Sequence, residues 1–332
     1  MNRWIPSELH THTVHSDGQM TVMQLAEAAK KLGLACIALT DHNTIAGHLE
    51  IEDAERRTGI TILPGLEWTT FYGHMTILDT DSYIDWMDIS RSGIDQGIDR
   101  VHRNGGIAGV AHPFRLGSPM CTGGFWNFRV RDWTKPDTFE VWSETSPNLN
   151  PTNLRAYAMW RRLLSKGYRV TAIAGRDWHS PETREPVAFT YLFAESNAQS
   201  VSAKAAFEAI RDGRVVVSMG PLFTIEVQTD DRTFSVGETF SSDDATVHIV
   251  LSVEETDREN QLWPDHNSLE AFLFSDSGLV ARVPMRSREL TLSVKTKKIA
   301  FLRAELYGKM DGCPCLIAFT NPVYKDSGKE TE

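Results

Sequence analysis

His10-Thr11-His12 follows Glu8-Leu9 in a segment of extended character. Residues i and i+2 of a strand point to the same face, so both imidazoles can bind one metal ion. Asp177-Trp178-His179 repeats that spacing late in the chain. One such pair alone is a weak signal. Here it is joined by Asp17 in His15-Ser16-Asp17-Gly18, by His42, by Glu67, by His74 after Tyr72-Gly73, and by His112-Pro113. Nine of the 11 histidines fall in the first 179 residues, leaving only His248 and His266 beyond them. Metal chemistry is therefore expected in one part of the chain and not in the other.

These side chains need elements to carry them. Thr21-Val22-Met23-Gln24 forms a capping box, after which Val22, Leu25, Ala29 and Leu32 line one helical face and Gly33 closes the helix. The apolar run 35–39 then ends in Thr40-Asp41-His42. The same pattern returns three times. A helix near 45–58 leads to strand 60–63 and then Pro64-Gly65-Leu66-Glu67. A helix near 93–103 leads to 107–111 and His112, and one near 153–166 leads to 170–174 and Gly175-Arg176-Asp177. Continuous apolar strands between helices predict a parallel sheet covered on both faces, or a closed barrel. In (β/α) barrels the C-terminal strand ends build the site, and these strands end in His, Asp or Glu. From about residue 220 the helical signals fade, and short strand-like runs predict a β-rich unit, such as a small sandwich. The expected division is 1–218 for the barrel and 219–332 for the β-rich domain.

At this point the sequence resembles a known family. His10-Thr11-His12 with Ser16-Asp17-Gly18, then Leu39-Thr40-Asp41-His42-Asn43, Gly65-Leu66-Glu67, Ala111-His112-Pro113 and Asp177-x-His179 look like the polymerase-and-histidinol-phosphatase (PHP) superfamily. The resemblance covers roughly residues 7–195. Ser218-Met219-Gly220-Pro221-Leu222, together with Leu302-Arg303-Ala304-Glu305 and Thr320-Asn321-Pro322-Val323-Tyr324, resembles the CehA/McbA type, whose barrel carries a β-rich extension. The resemblance implies an α/β fold, a distorted seven-stranded (β/α) barrel, and two or three divalent metal ions. Carried over, His10, His12, Glu67 and Asp177 bind the first ion. Glu67, His74 and His112 bind the second, and Asp17, His42 and His179 bind the third. Imidazole and carboxylate donors without a thiolate suit Zn, Mn or Fe and do not separate them. Closely spaced ions activate a shared water to hydroxide near neutral pH and polarise the scissile group.

Two arginines stand near these motifs. Arg176 occupies a position where the family often has a small residue, and Arg115 lies just past His112-Pro113. The planar fork of either one suits an anionic oxygen. Asp17, Arg115 and Arg176 are thus the expected catalytic residues. The stretch 114–133 holds Phe114, Phe125, Trp126, Phe128 and Trp133 with Arg129 and Arg131, and could cover the metal rim or simply pack. Asp41 is expected to orient an imidazole, while His48 and His102, on helices, are expected not to be ligands.

Composition narrows the remainder. The chain has 332 residues, 34 Lys+Arg against 44 Asp+Glu, and a formal charge of −10. That is room for two domains with a substantial core, and the balance disfavours a non-specific nucleic-acid binder. No apolar run approaches a membrane span, and no signal-peptide pattern opens the sequence. Cys36, Cys121, Cys313 and Cys315 do not form a disulfide framework, so a cytoplasmic setting is expected. The expected partner is a small anionic molecule, with nucleic acid disfavoured except as a nucleotide-type substrate and homo-oligomerisation left open. Metal-dependent phosphoester hydrolysis is the favoured activity. Carboxylic ester or carbamate hydrolysis at the same site is the alternative, and a non-catalytic metal-binding module is a third reading.

Overall fold

The computed structural model describes residues 1–116, 125–181, 185–196, 200–241, 246–256, 262, 264–310 and 312–326. Strands and helices alternate through the first two-thirds of the chain. The order is β1 (Asn2–Glu8), α1 (Val22–Lys31), β2 (Cys36–Leu39), α2 (Ile51–Thr58), β3 (Thr61–Thr70), β4 (Gly73–Leu78) and α3 (Ile94–Arg103). Then come β5 (Ile107–Ala111), β6 (Thr138–Ser143), α4 (Pro151–Ser165), β7 (Thr171–Gly175), β8 (Phe189–Glu195), α5 (Ala203–Arg211) and β9 (Val215–Ser218). The capping box forms: Thr21 Oγ1 accepts from the Gln24 amide at 3.2 Å, and the Gln24 side chain accepts from the Thr21 amide at 2.9 Å. Val22, Leu25 and Ala29 are buried on the inner face, and Gly33 leaves the helix at φ 80. Asn150 caps α4 by a one-way bond, its side chain accepting from the Thr152 amide, with Pro151 in the first turn.

Strands β1 to β7 lie side by side in chain order within one large sheet. Pairing is parallel from β1 through β3 and again from β5 through β7; β4 runs antiparallel to both its neighbours. The two ends of this path meet at a single parallel bridge between Thr11 and Trp178. There the His12 amide donates to Trp178 O at 2.9 Å, and the Trp178 amide donates to His10 O at 3.0 Å. β3 is longer than its sequence suggests. The sequence places the strand at 60–63, yet it passes through Pro64 and Gly65 and folds back as β4 only after Thr70. Pro64 stands opposite Leu39, the last residue of β2, where a missing N–H costs the ladder least.

After Ser218 the described residues form strands and no α-helix. They are β10 (Leu222–Gln228), β11 (Thr233–Phe234), β12 (Thr239–Phe240), β13 (Thr246–Glu254), β14 (Glu270–Ser275), β15 (Gly278–Pro284), β16 (Glu289–Lys295), β17 (Phe301–Met310), β18 (Cys313–Thr320) and β19 (Val323–Lys325). One four-stranded layer has the order β11-β10-β13-β16. The other layer extends the large sheet, because β18 pairs with β9 through Ala318, Phe319 and Thr320. The chain is thus a mixed α/β protein whose main-chain ladder runs from the first unit into the second.

The two units also share a core. Trp142, Tyr157 and Trp160 surround Phe319, with ring centroids 5.0 to 5.6 Å away. Beside them is a buried charged group. Glu305 Oε1 accepts from Arg303 Nη1 at 2.7 Å and from the Tyr157 hydroxyl at 2.5 Å, while its Oε2 accepts from Tyr307 at 3.0 Å. Cys36 is fully buried, as its apolar run implies, and Cys313 and Cys315 are free thiols; Cys121 lies outside the described residues. Among the described residues no helix is long and apolar enough to cross a membrane.

Candidate metal centre

Every strand from β1 to β5, and β7, delivers a candidate ligand. His10 and His12 follow β1, and His42 follows β2. Glu67 lies within β3, His74 within β4, His112 follows β5, and Asp177 and His179 follow β7. The chain turns sharply at these ends, and Asn43, His112 and Asp177 have φ values of 51, 23 and 54. Non-glycine residues hold such angles only where the surroundings over-determine them. Asp17 comes from the turn after His12, and Asp41 shapes that turn rather than orienting an imidazole. Its Oδ1 accepts from the Thr13 amide at 2.7 Å and from Ser16 Oγ at 2.6 Å, and its Oδ2 accepts from Thr13 Oγ1 at 2.7 Å. The turn closes so tightly that a Cβ on Gly18 would lie 2.3 Å from the His12 carbonyl oxygen.

Glu67 is the hub. Its Oε1 lies 2.9 Å from His74 Nδ1 and 3.0 Å from His112 Nε2. Its Oε2 lies 2.7 Å from His42 Nδ1, 3.4 Å from His10 Nε2 and 3.6 Å from His12 Nε2. Asp177 Oδ1 stands 2.8 Å from His12 Nε2 and 3.5 Å from His10 Nε2. Asp17 Oδ1 stands 3.0 Å from His179 Nε2 and 3.4 Å from His42 Nε2. Among the described residues two sets of four emerge, His10, Glu67, His112 and Asp177, and His12, Asp17, His42 and His179, each with donor atoms within 4.8 Å of one another. The first set is the more deeply buried, whereas Asp17 in the second is 62% exposed. His74 touches Glu67 but stands outside both sets.

These residues fit a divalent cation. His10 Nε2, both ring nitrogens of His12, Glu67 Oε2 and Asp177 Oδ1 are buried and lack a hydrogen bond of acceptable geometry, although some lie close together. Buried polar atoms without partners are costly, and a cation between them removes that penalty. Charge points the same way. Burial alone would raise both carboxylates, yet the surrounding imidazoles, His10 first, hold Glu67 and Asp177 well below the usual carboxylate range. Burial would lower His10, but Glu67, Glu140 and Asp177 together push it well above the ordinary imidazole value. The centre favours positive charge at its middle.

Two supporting groups belong to none of the sequence motifs. Glu140 Oε2 lies 2.8 Å from His10 Nδ1, both side chains being buried, which leaves His10 Nε2 directed at the other candidate ligands. A Cβ on Gly175 would fall 2.5 Å from that same oxygen, so the glycine keeps the space open. The one sequence signal for it is a glutamate inside the otherwise apolar run Phe139-Glu140-Val141-Trp142. Glu8 is the second: its Oε1 accepts from the amides of His10 and Arg176, both at 2.9 Å, and ties the ends of β1 and β7 together. Burial pushes its carboxyl up to about 7.

The two arginines occupy different places. Arg115 reaches the centre, pairing through Nη1 with Asp177 Oδ2. Arg176 is buried, with its guanidinium 4.2 Å from the centroid of the Trp178 ring, and burial lowers it to about 10. Much of the aromatic stretch packs against the body: Trp126 and Phe128 against each other, Phe128 against Tyr72, and Trp133 against Phe139. Residues 117–124 of it lie outside the described residues. His102 bonds Asp137 at 2.8 Å, and His48 Nε2 lies 2.8 Å from the Gly65 carbonyl. His48→Ala is therefore expected to leave metal content and turnover unchanged while lowering stability by about 1 kcal/mol. Metal analysis beside thermal unfolding checks this, and loss of metal would mean that the ligand set is wrong.

With this arrangement in view, likeness to known proteins becomes specific. Residues 8–117 match the PHP domain family. The PHP-matching segment holds seven of the nine candidate ligands, all but Asp177 and His179. Over 127 residues the chain is 29% identical to an uncharacterized protein of Methanocaldococcus jannaschii, covering 35% of this chain and 70% of that one. Over 63 residues it is 40% identical to a 5'-3' exoribonuclease of Haemophilus influenzae, covering 19% of this chain and 23% of that enzyme. Over 70 residues it is 36% identical to a 3',5'-nucleoside bisphosphate phosphatase of Chromobacterium violaceum, covering 21% and 25%. The match thus spans about a quarter of the length of each of these two enzymes. A two-domain protein of Bacteroides vulgatus containing a predicted PHP-like metal-dependent phosphoesterase shares the fold. It superposes with a TM-score of 0.53 at 15% identity, covering 97% of this chain and 96% of that one.

Proposed function

We propose that the protein is a metal-dependent phosphoesterase acting on a small molecule or nucleotide at a di- or trinuclear centre. The convergence of two four-residue donor sets, with Glu67 touching members of both, carries this reading. Divalent ions bound there would supply Lewis acidity and activate water. The chain's own residues do the rest. Glu67 and Asp177 stay ionised, Glu140 fixes the orientation of His10, and Arg115 presents a cation beside Asp177 to an anionic oxygen. The clamping role considered for both arginines therefore goes to Arg115, since Arg176 is buried on Trp178. The likeness to a nucleoside bisphosphate phosphatase agrees with a phosphorylated substrate.

Carboxylic ester or carbamate hydrolysis remains the second reading. It is favoured by Ser218-Met219-Gly220-Pro221-Leu222 and the CehA/McbA-like ending of the sequence. Protein reconstituted in turn with Zn, Mn and Fe, and assayed against phosphomonoesters, phosphodiesters, aryl esters and carbamates, separates the two. Metal-dependent phosphate release is the expected result. Turnover of aryl esters or carbamates without any phosphate release would sink the phosphoesterase reading.

A further inference from the structure

Three successive strands, β5, β6 and β7, leave the large sheet through a non-glycine residue at positive φ: His112 (23), Glu144 (66) and Asp177 (54). His112 and Asp177 belong to the candidate metal centre, whereas Glu144 belongs to neither donor set. Its carboxylate is occupied elsewhere. Oε1 lies 3.1 Å from Arg115 Nε, and Oε2 accepts from Asn150 Nδ2 at 3.1 Å. Asn150 is itself held, because its Oδ1 caps α4 by accepting from the Thr152 amide at 2.9 Å and from Thr152 Oγ1 at 2.7 Å. Arg115 meanwhile gives Nη1 to Asp177 Oδ2. Its guanidinium is thus gripped by two carboxylates, one at the end of β6 and one at the end of β7.

One terminal nitrogen, Nη2, has no partner among the described residues, and the Arg115 side chain is still 34% exposed. An arginine already held at two nitrogens loses little freedom when its third meets a ligand oxygen. A strained backbone at Glu144 is tolerable where the residue it aims has a task. We propose that Glu144 is a positioning residue that sets Arg115 as a clamp for a tetrahedral oxyanion, with Nη2 offered to a phosphoryl oxygen. This rests on the phosphoesterase reading.

Calorimetric titration of inorganic phosphate into metal-reconstituted protein tests it, using R115A, E144A, E144Q and the R115A/E144A double variant, with metal content and Tm measured alongside. R115A is expected to weaken phosphate about tenfold or more, as loss of a charge-assisted hydrogen bond does. E144A is expected to weaken it about threefold to fivefold, the effect of a partly exposed ion pair. E144Q keeps the side-chain length and the bond to Asn150 but not the charge that pairs with Nε, so it should recover only part of that loss. In the R115A background E144A should add nothing, and metal content should stay constant throughout. Should E144A lower the Tm, E144N replaces it, since Asn tolerates positive φ but is too short to reach Nε. Unchanged phosphate affinity in E144A, or an equal loss with and without Arg115, overturns the proposal. Wild-type phosphate affinity in R115A removes the clamp and its support together. Phosphate binding that follows the expected pattern, in a protein that hydrolyses no phosphoester, overturns the functional reading alone.

Discussion

Glu67→Gln is expected to lose bound metal and activity together. Glu67 is fully buried, with Oε1 serving His74 and His112 and Oε2 facing His42, His10 and His12. Gln keeps the shape but removes the negative charge that balances a cation. It also turns one oxygen into an N–H₂ group, aimed at ring nitrogens that no longer have an acceptor. Loss of a residue that merely supports a ligand lowers metal affinity about 10–100-fold, so if Glu67 is a shared ligand, as proposed, its loss should lower kcat/KM by at least about a hundredfold. Metal per chain, measured by mass spectrometry after reconstitution, is the deciding readout beside turnover. A Gln variant that keeps its full metal content would refute the placing of Glu67 at the hub.

Glu305→Ala should be the most destabilising single change far from that centre. Arg303 and Glu305 are 3% and 1% exposed, and they bond at 2.7 Å within β17, where Tyr157 of α4 also donates to Glu305. Removing the carboxylate leaves a buried guanidinium without its counter-charge and takes the acceptor from the hydroxyls of Tyr157 and Tyr307. Breaking such a pair from one side costs about 3–5 kcal/mol. Replacing both partners, as in R303M/E305L, should cost less, because no charge is then stranded in the core. Urea unfolding of the three proteins checks the order. A Glu305→Ala variant as stable as wild type would show that the group is not desolvated as described.

Much of the centre is legible in the sequence, for local reasons. His10-x-His12 and Asp177-x-His179 bring their donors to one region, although each pair is divided between the two sets, His10 with Asp177 and His12 with His179, and Asp177 stands at φ 54 rather than in extended chain. The Thr21–Gln24 box and Gly33 mark α1 through hydrogen bonds between near neighbours. Other features are not legible there, because distant pairing overrides local signals. The sequence ends the third strand at 63, but pairing with β4 carries β3 through Pro64-Gly65 to Thr70. Asp41 sits next to His42 in sequence, yet it binds the 13–16 backbone and hydroxyls instead.

The sequence by itself determined the inventory: which strands end in imidazoles and carboxylates, which helices separate them, and that donors crowd the first part of the chain. Those properties follow from periodicity and capping, which act over a few residues. Only the tertiary structure decided which groups share an oxygen. Glu140 meets His10 across 130 residues, and β9 joins β18 across a hundred positions or more. Such contacts depend on how the sheet brings its strand ends together. No local spacing encodes that, because the proximity arises only when every intervening strand has paired.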